Sequence, residues 1–358
     1  MQIALLSLFI ILILGGYVLV RVLLRKKAIP LALRILLPVA EILLSIALAY
    51  WLMVYLYAPR PVILFLMGLH AVTLIDGLSS LISLLVGAIR RKKAHFLLLP
   101  ILSCALSLGY ASYGVANMEI VGEHHIEHTS EKILHPYTFA FLTDIHVGSS
   151  QPFSVMRKTI ASIASKDLDF LLIGGDVVDC FTSREEMKKT FALFSSFPFP
   201  VYLTYGNHEV DDLGQNFTDE ELRAEIKAND VHLLEDEFVP IGEDLLLLGR
   251  QDLTCKERKG YESLVNPSPS SFLLTLDHQP FDFESASSFG VDLQLSGHTH
   301  AGQLLPLGWL YRLATYSYGD YYRASSRLYV TPGASGWAAP LRTQGHSQYE
   351  IVHLNPKG

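Results

Sequence analysis

Five short blocks place Asp, Asn and His at spacings that could hold metal ions. They are Asp144-Ile145-His146, Gly174-Gly175-Asp176-Val177-Val178-Asp179, Gly206-Asn207-His208-Glu209, Asp277-His278 and Gly297-His298-Thr299-His300. Each has a plainer reading alone. Asp-x-His after a strand is commonly a turn, Gly-Gly-Asp a tight turn, Asn-His after Gly a helix cap, and His278 a satisfied buried histidine. Gly-His-Thr-His is the most specific of the five, because two imidazoles beside a flexible Gly are hard to explain otherwise. Their occurrence in this order, each at the end of a strand signal, favours the metal reading.

The elements that must position them follow from apolar runs. Thr138–Thr143, Leu168–Ile173, Val201–Thr204, Phe272–Leu276 and Val291–Leu295 read as buried strands, and each runs into one of the blocks. Between them, Pro152 can open a helix reaching about Ser165, while Ser183-x-x-Glu186 and Thr218-x-x-Glu221 read as capping boxes. Strand-helix-strand order brings loops at one sheet edge to a single crevice.

The chain of 358 residues is 50% hydrophobic and carries a net charge of −7. No basic patch lies beyond residue 117 to track a phosphate backbone, so nucleic acid is not an expected partner. Nearly all long apolar runs fall in residues 1–117, which predicts a transmembrane anchor followed by a globular domain at 118–358. Four runs, about 3–24, 35–57, 62–89 and 96–117, each approach the ~20 residues that a spanning helix needs. Arg21, Arg25, Lys26, Lys27 and Arg34 in the first connection and Arg90, Arg91, Lys92 and Lys93 in the third would hold those loops in the cytoplasm. A multi-pass integral protein of the cell membrane, with its catalytic domain outside the cytoplasm, is the expectation. Glu41 and Asp76 fall inside the spans, where acids are costly. Cys104, Cys180 and Cys255 are too few and scattered for a disulfide framework, and whether Cys180 and Cys255 pair stays open.

Residues 118–358 resemble the calcineurin-like metallophosphoesterases through all five blocks. The segments Tyr329-Val330-Thr331-Pro332-Gly333 and Pro340-Leu341-Arg342 look like the membrane-associated bacterial branch, which includes lipid A precursor pyrophosphatases and YkuE-like enzymes. Cys180 stands where the Ser/Thr protein phosphatases have Arg, and Ala301 replaces a Gly common in the branch. The resemblance implies an α/β domain built on a two-sheet β-sandwich flanked by helices. It assigns one divalent ion to Asp144, His146 and His300, a second to Asn207, His278 and His298, and the bridge to Asp176. Carboxylate, imidazole and amide oxygen suit Mn, Fe or Zn better than Ca.

The same resemblance implies hydrolysis of a phosphomonoester, phosphodiester or pyrophosphate on a phosphorylated small molecule or lipid. Two ions would hold the attacking water or hydroxide between them. His208 would stabilise phosphoryl charge or protonate the leaving oxygen, with Asp179 as its orienting partner; a capping role for Asp179 is the alternative. Two competing readings are a catalytically silent, membrane-anchored binding or sensing module and a cytoplasm-facing lipid A precursor pyrophosphatase. His124, His125 and His128 read as an exposed strand or linker rather than a second metal group. The aromatic segment Trp309 to Tyr322 could cover the site or rest at a membrane interface.

Overall fold

The structure, a computed structural model, describes residues 99–358 apart from 149, 212–215, 306, 338 and 339, together with isolated positions between 30 and 86. Two compact units divide the chain, Met1–Gly114 and Val115–Gly358.

The first unit corrects one expectation. Among the described residues no helix is long and apolar enough to cross a membrane. The stretch expected as the fourth span is helix α1, Leu99–Glu119. Its C-terminal part carries Tyr110, Ser112, Tyr113, Asn117 and Glu119, which interrupt the unbroken apolar run that a bilayer requires. The four-helix transmembrane region is therefore not supported. With it go the multi-pass integral placement and the extracytoplasmic orientation; a lipid bilayer as a partner is not shown. The expected spans at about 3–24, 35–57 and 62–89 fall wholly or largely outside the described residues, as do Glu41 and Asp76.

The second unit is built from two six-stranded sheets. The first runs in the order β1 (Val121–Ser130), β12 (Ser347–Pro356), β2 (Tyr137–Leu142), β3 (Leu171–Ile173), β4 (Val201–Leu203) and β5 (Val231–Leu233). The second runs β10 (Gly319–Arg323), β11 (Ser326–Val330), β9 (Leu293–Ser296), β8 (Phe272–Leu276), β7 (Leu245–Gly249) and β6 (Glu237–Ile241). Strands β2 to β5 are parallel, as are β7, β8, β9 and β11. Their carboxyl ends therefore open on common edges, where ligands bind in sheets of this kind.

Alternation along β2 explains the layers. Phe139 and Phe141 pack between the sheets with Phe170, Leu172, Leu247, Phe272, Leu274 and Leu295. Ala140 and Leu142 point the other way, into helices α2 (Phe153–Ala164), α3 (Arg184–Phe194) and α5 (Asp219–Ala228) through Met156, Ile160, Phe191, Leu222 and Ile226. A short α4 (Asn207–Asp211) lies between α3 and α5 in sequence. On the outer face of the second sheet, Leu246, Leu248 and Leu273 meet Phe283 and Ala286 of α6 (Phe283–Phe289). Each fully buried Leu or Phe contributes ~1.5–3 kcal/mol, so the helix-sheet-sheet-helix stack is held by its period-two pattern.

Local signals place the helices. Pro152 is the N-cap of α2, and Ser165 closes it. Both capping boxes form: Ser183 and Thr218 accept from the N–H groups of Glu186 and Glu221, whose carboxylates reach back to the cap N–H groups. No disulfide joins Cys180 and Cys255.

Candidate metal centre

All five blocks sit at strand ends, and the first, second and fifth are carried on strained loops. Asp144, His146, Asp176, His298 and His300 each have positive φ, between 45° and 69°. Non-glycine residues adopt this region rarely and at a cost of about 1–3 kcal/mol each, so surrounding contacts must hold them there. Those contacts are backbone-directed. The Asp144 carboxylate accepts from His298 N at 3.0 and 3.2 Å, and Asp176 Oδ1 accepts from His208 N at 3.0 Å. Gly297 is required by close approach, because a Cβ there would overlap Asp144 Oδ2.

Three overlapping groups of donor atoms result, each within 4.8 Å: Asp144, His146 and His300; His146, Asp176 and His208; and Asp176, His278 and His298. Asp176 Oδ2 lies 3.6 Å from His146 Nε2 and 3.1 Å from His278 Nε2. Asn207 Oδ1 joins the third group, at 3.3 Å from His278 Nε2 and 2.8 Å from His298 Nδ1. All seven residues expected to ligate metal are thus brought together in a buried or half-buried pair of clusters sharing Asp176.

The ring nitrogens are oriented from behind. His278 Nδ1 donates to Gly174 O at 2.7 Å, and His300 Nδ1 donates to Ser335 O at 3.1 Å. A carbonyl only accepts, so both rings carry their proton on Nδ1 and turn Nε2 towards the carboxylates. Asp179 Oδ2 lies 3.1 Å from His146 Nδ1. The expectation placed Asp179 behind His208; the contact seen is with His146, a neighbour of the carboxylates. His208 packs its ring on Trp337, with centroids 4.9 Å apart, and edge-on to His146 at 5.1 Å.

Burial divides the protonation states. It lowers His298 to about 4, and drives His300 well below its ordinary value with help from His146 and Arg342. Both are neutral at pH 7, the form in which an imidazole can bind metal. His278 goes the other way: burial opposes the charge, but Asp176 at 3.1 Å outweighs it and raises the ring well above its usual range. Asp144 is raised by burial, while Asp176 is held well below a normal carboxylate by His278 and its other histidine neighbours despite burial. Nitrogen and oxygen donors in this number fit Mn, Fe or Zn.

Several residues gained roles that spacing did not reveal. The buried carboxylate of Glu209 accepts from the N–H groups of Asp176, Val177, Val178 and Gly206, at 2.7 to 3.1 Å. It ties the second block to the third, and its place directly after Asn-His was the available signal. Gln303 gathers the segment that follows β11: its amide donates to Leu341 O and its carbonyl oxygen accepts from Trp337 N, both at 3.0 Å. Ala301, at φ 52°, adopts the left-handed region that favours glycine.

The other sequence features lie elsewhere. His124, His125 and His128 are spread along β1: His124 stacks on Tyr329, His125 on His353 and His128 edge-on to Phe272. They form no donor group among the described residues. The aromatic segment begins in α7 (Leu307–Ala314), with Trp309 and Tyr311 exposed, and continues into β10, with Tyr322 exposed. Thr299, between the two histidines of the last block, donates to Ser317 O at 2.5 Å and so anchors this segment beside the site.

Residues 137–302 match the calcineurin-like phosphoesterase family. The chain is 33% identical over 227 residues to an uncharacterized metallophosphoesterase of Helicobacter pylori strain J99, covering 60% of this chain and 59% of that protein. It is 26% identical over 260 residues to YkuE, an uncharacterized metallophosphoesterase of Bacillus subtilis, covering 69% and 89%. A Danio rerio protein described as a transmembrane protein with metallophosphoesterase domain is 27% identical over 234 residues, covering 60% and 52%. The chain thus spans 59% of the length of the Helicobacter relative.

Proposed function

We propose, on the premise that residues 137–302 form a calcineurin-like phosphoesterase domain, that this chain is a metal-dependent hydrolase of phosphate esters or phosphoanhydrides. The observation that carries the reading is Asp176, whose Oδ2 faces His146 of one donor group and His278 of the other. Asp144, His146 and His300 would hold one ion, Asn207, His278 and His298 the other, and Asp176 both. Two divalent ions held there would supply a bound water of lowered pKa and offset the charge of the phosphoryl oxygens.

The chain's own residues supply the rest. Asp179 fixes the His146 ring so that Nε2 stays aimed at Asp176. Gly174 O and Ser335 O do the same for His278 and His300. As water adds to phosphorus and the opposite P–O bond breaks, the leaving oxygen needs a proton. His208, grouped with Asp176 and His146 and backed by Trp337, is placed to give it. Water then restores the proton to His208.

The test is a hydrolysis screen of the full chain against an aryl phosphate monoester, a phosphodiester and a lipid pyrophosphate, with Mn, Fe and Zn each added to metal-free protein. Metal-dependent turnover of at least one substrate is expected, and the preferred one identifies the phosphorylated group. Two bound ions with no turnover of any substrate would favour a silent binding module instead.

A further inference from the structure

We propose that Arg342 is a positioning residue for the Asp144–His146–His300 half of the centre, acting through the backbone that orients His300. This rests on reading the site as binuclear.

Arg342 is fully buried. An arginine so placed normally meets a carboxylate, because an unpaired charge away from water is costly. Its hydrogen bonds go to carbonyls instead: Nη1 donates to His300 O at 2.9 Å, and Nη2 to Pro332 O at 2.8 Å and Ser335 O at 2.6 Å. Among the described residues the Nε–H has no hydrogen-bond partner. A planar fork thus clamps the backbone of His300 to the loop that follows β11.

One of those carbonyls has a second task. Ser335 O also accepts the Nδ1 proton of His300. By fixing both His300 O and Ser335 O, the guanidinium fixes the distance between the ring and its acceptor. That bond sets the tautomer, which leaves the Nε2 lone pair facing Asp144 Oδ1 at 3.6 Å.

The clamp is itself held. Asn117 donates to Arg342 O at 3.1 Å and to Gly345 O at 2.8 Å, and Thr343 N and Gln344 N both donate to Gln303 O at 3.0 Å. From the other side, Ala334 N donates to Thr143 O at 2.9 Å, which pins the loop against the first block. The burial of Arg342, with its hydrogen bonds spent on carbonyls, is thus accounted for by the ligand it aims. A side chain that merely filled space there could be apolar at lower cost.

The variants are Arg342→Gln and Arg342→Lys in the full chain, each stripped of metal and titrated calorimetrically with Mn. Loss of a ligand's outer support typically weakens metal binding ~10–100-fold. One of two binding steps should weaken by that factor in Arg342→Gln while the other holds, and Arg342→Lys, with charge but no fork, should fall between. In metal-free protein with nitrogen-15 histidine, His300 should change from a pure Nδ1–H tautomer in the wild type to a mixture in the variants. Equal weakening of both steps, no weakening, or an unchanged His300 tautomer would overturn the proposal. The tautomer is read without metal, so it judges Arg342 even if Arg342→Gln fails to fold, since Arg342→Lys reports it too. A wild-type chain that binds fewer than two ions would sink the binuclear reading separately.

Discussion

Glu209→Gln changes one atom of a buried side chain, and the geometry sets its cost. Each carboxylate oxygen serves two backbone donors: Oε1 accepts from Val177 N at 2.7 Å and Val178 N at 3.1 Å, Oε2 from Asp176 N and Gly206 N at 2.8 Å each. Whichever way the new amide turns, its NH2 faces two N–H groups and both lose their acceptor. Hydrogen bonds to a charged group are worth about 1.5–3 kcal/mol each, so the pair predicts a loss of about 3–6 kcal/mol. That is a large share of the ~5–15 kcal/mol typical of a folded chain. Burial and Asp176 push the Glu209 carboxyl up to about 7, against the pull of its backbone donors, so the comparison belongs at pH 8 where it is ionised. Denaturant unfolding of metal-free wild type and variant measures the difference, and calorimetric Mn titration reports the Asp176 loop. A loss below about 1 kcal/mol, or unchanged metal affinity in the variant, would refute the role given to this carboxylate.

Asp176→Asn and His298→Ala should each abolish turnover and lower metal content measured by elemental analysis, the former more severely because Asp176 faces both groups. His208→Ala should retain both metals while the rate falls by roughly 10²-fold or more; loss of both ions instead would mean that His208 is a ligand. Glu350 is buried, accepts from Thr331 and Gln348, and is pushed up to about 7 by desolvation. Its folded value exceeds the ordinary 4.5, so the stability it lends is full below about 4.5 and is lost as pH rises through 7. At 1.36 kcal/mol per unit this amounts to about 3 kcal/mol. Glu350→Gln should remove that slope, and parallel pH-stability curves for the two proteins would count against it.

What the sequence made legible was whatever is local. Alternation marked the five strands, and the two capping boxes and Pro152 marked helix starts, because those signals act within one turn or one pleat. The donor blocks could be found because each begins within four residues of the end of a strand. The contacts of Asp179, Glu209 and Arg342 could not, since each depends on which loop lies across the crevice. Asp179 meets His146, 33 residues away, and Arg342 meets His300, 42 away. The membrane reading failed on Leu99–Glu119 for a related reason: apolar runs fix hydrophobicity, but the polar residues of the helix's second half decide whether a run is long enough.

Strand β12 lies between β1 and β2, parallel to the first and antiparallel to the second. Neither early strand therefore acquires that neighbour until synthesis has passed residue 356. Until then β2 holds a bare edge towards β12, and β1, which pairs with β12 over ten residues, has no seat in the sheet. Such long-range pairing is slow and leaves sticky edges exposed in the meantime. The nascent chain has most of its donor-bearing loops in hand well before the scaffold beneath Asp144 can close. A ribosome-stalled chain ending before Ser347 should accordingly be sensitive to protease at β1, and one ending beyond Pro356 resistant.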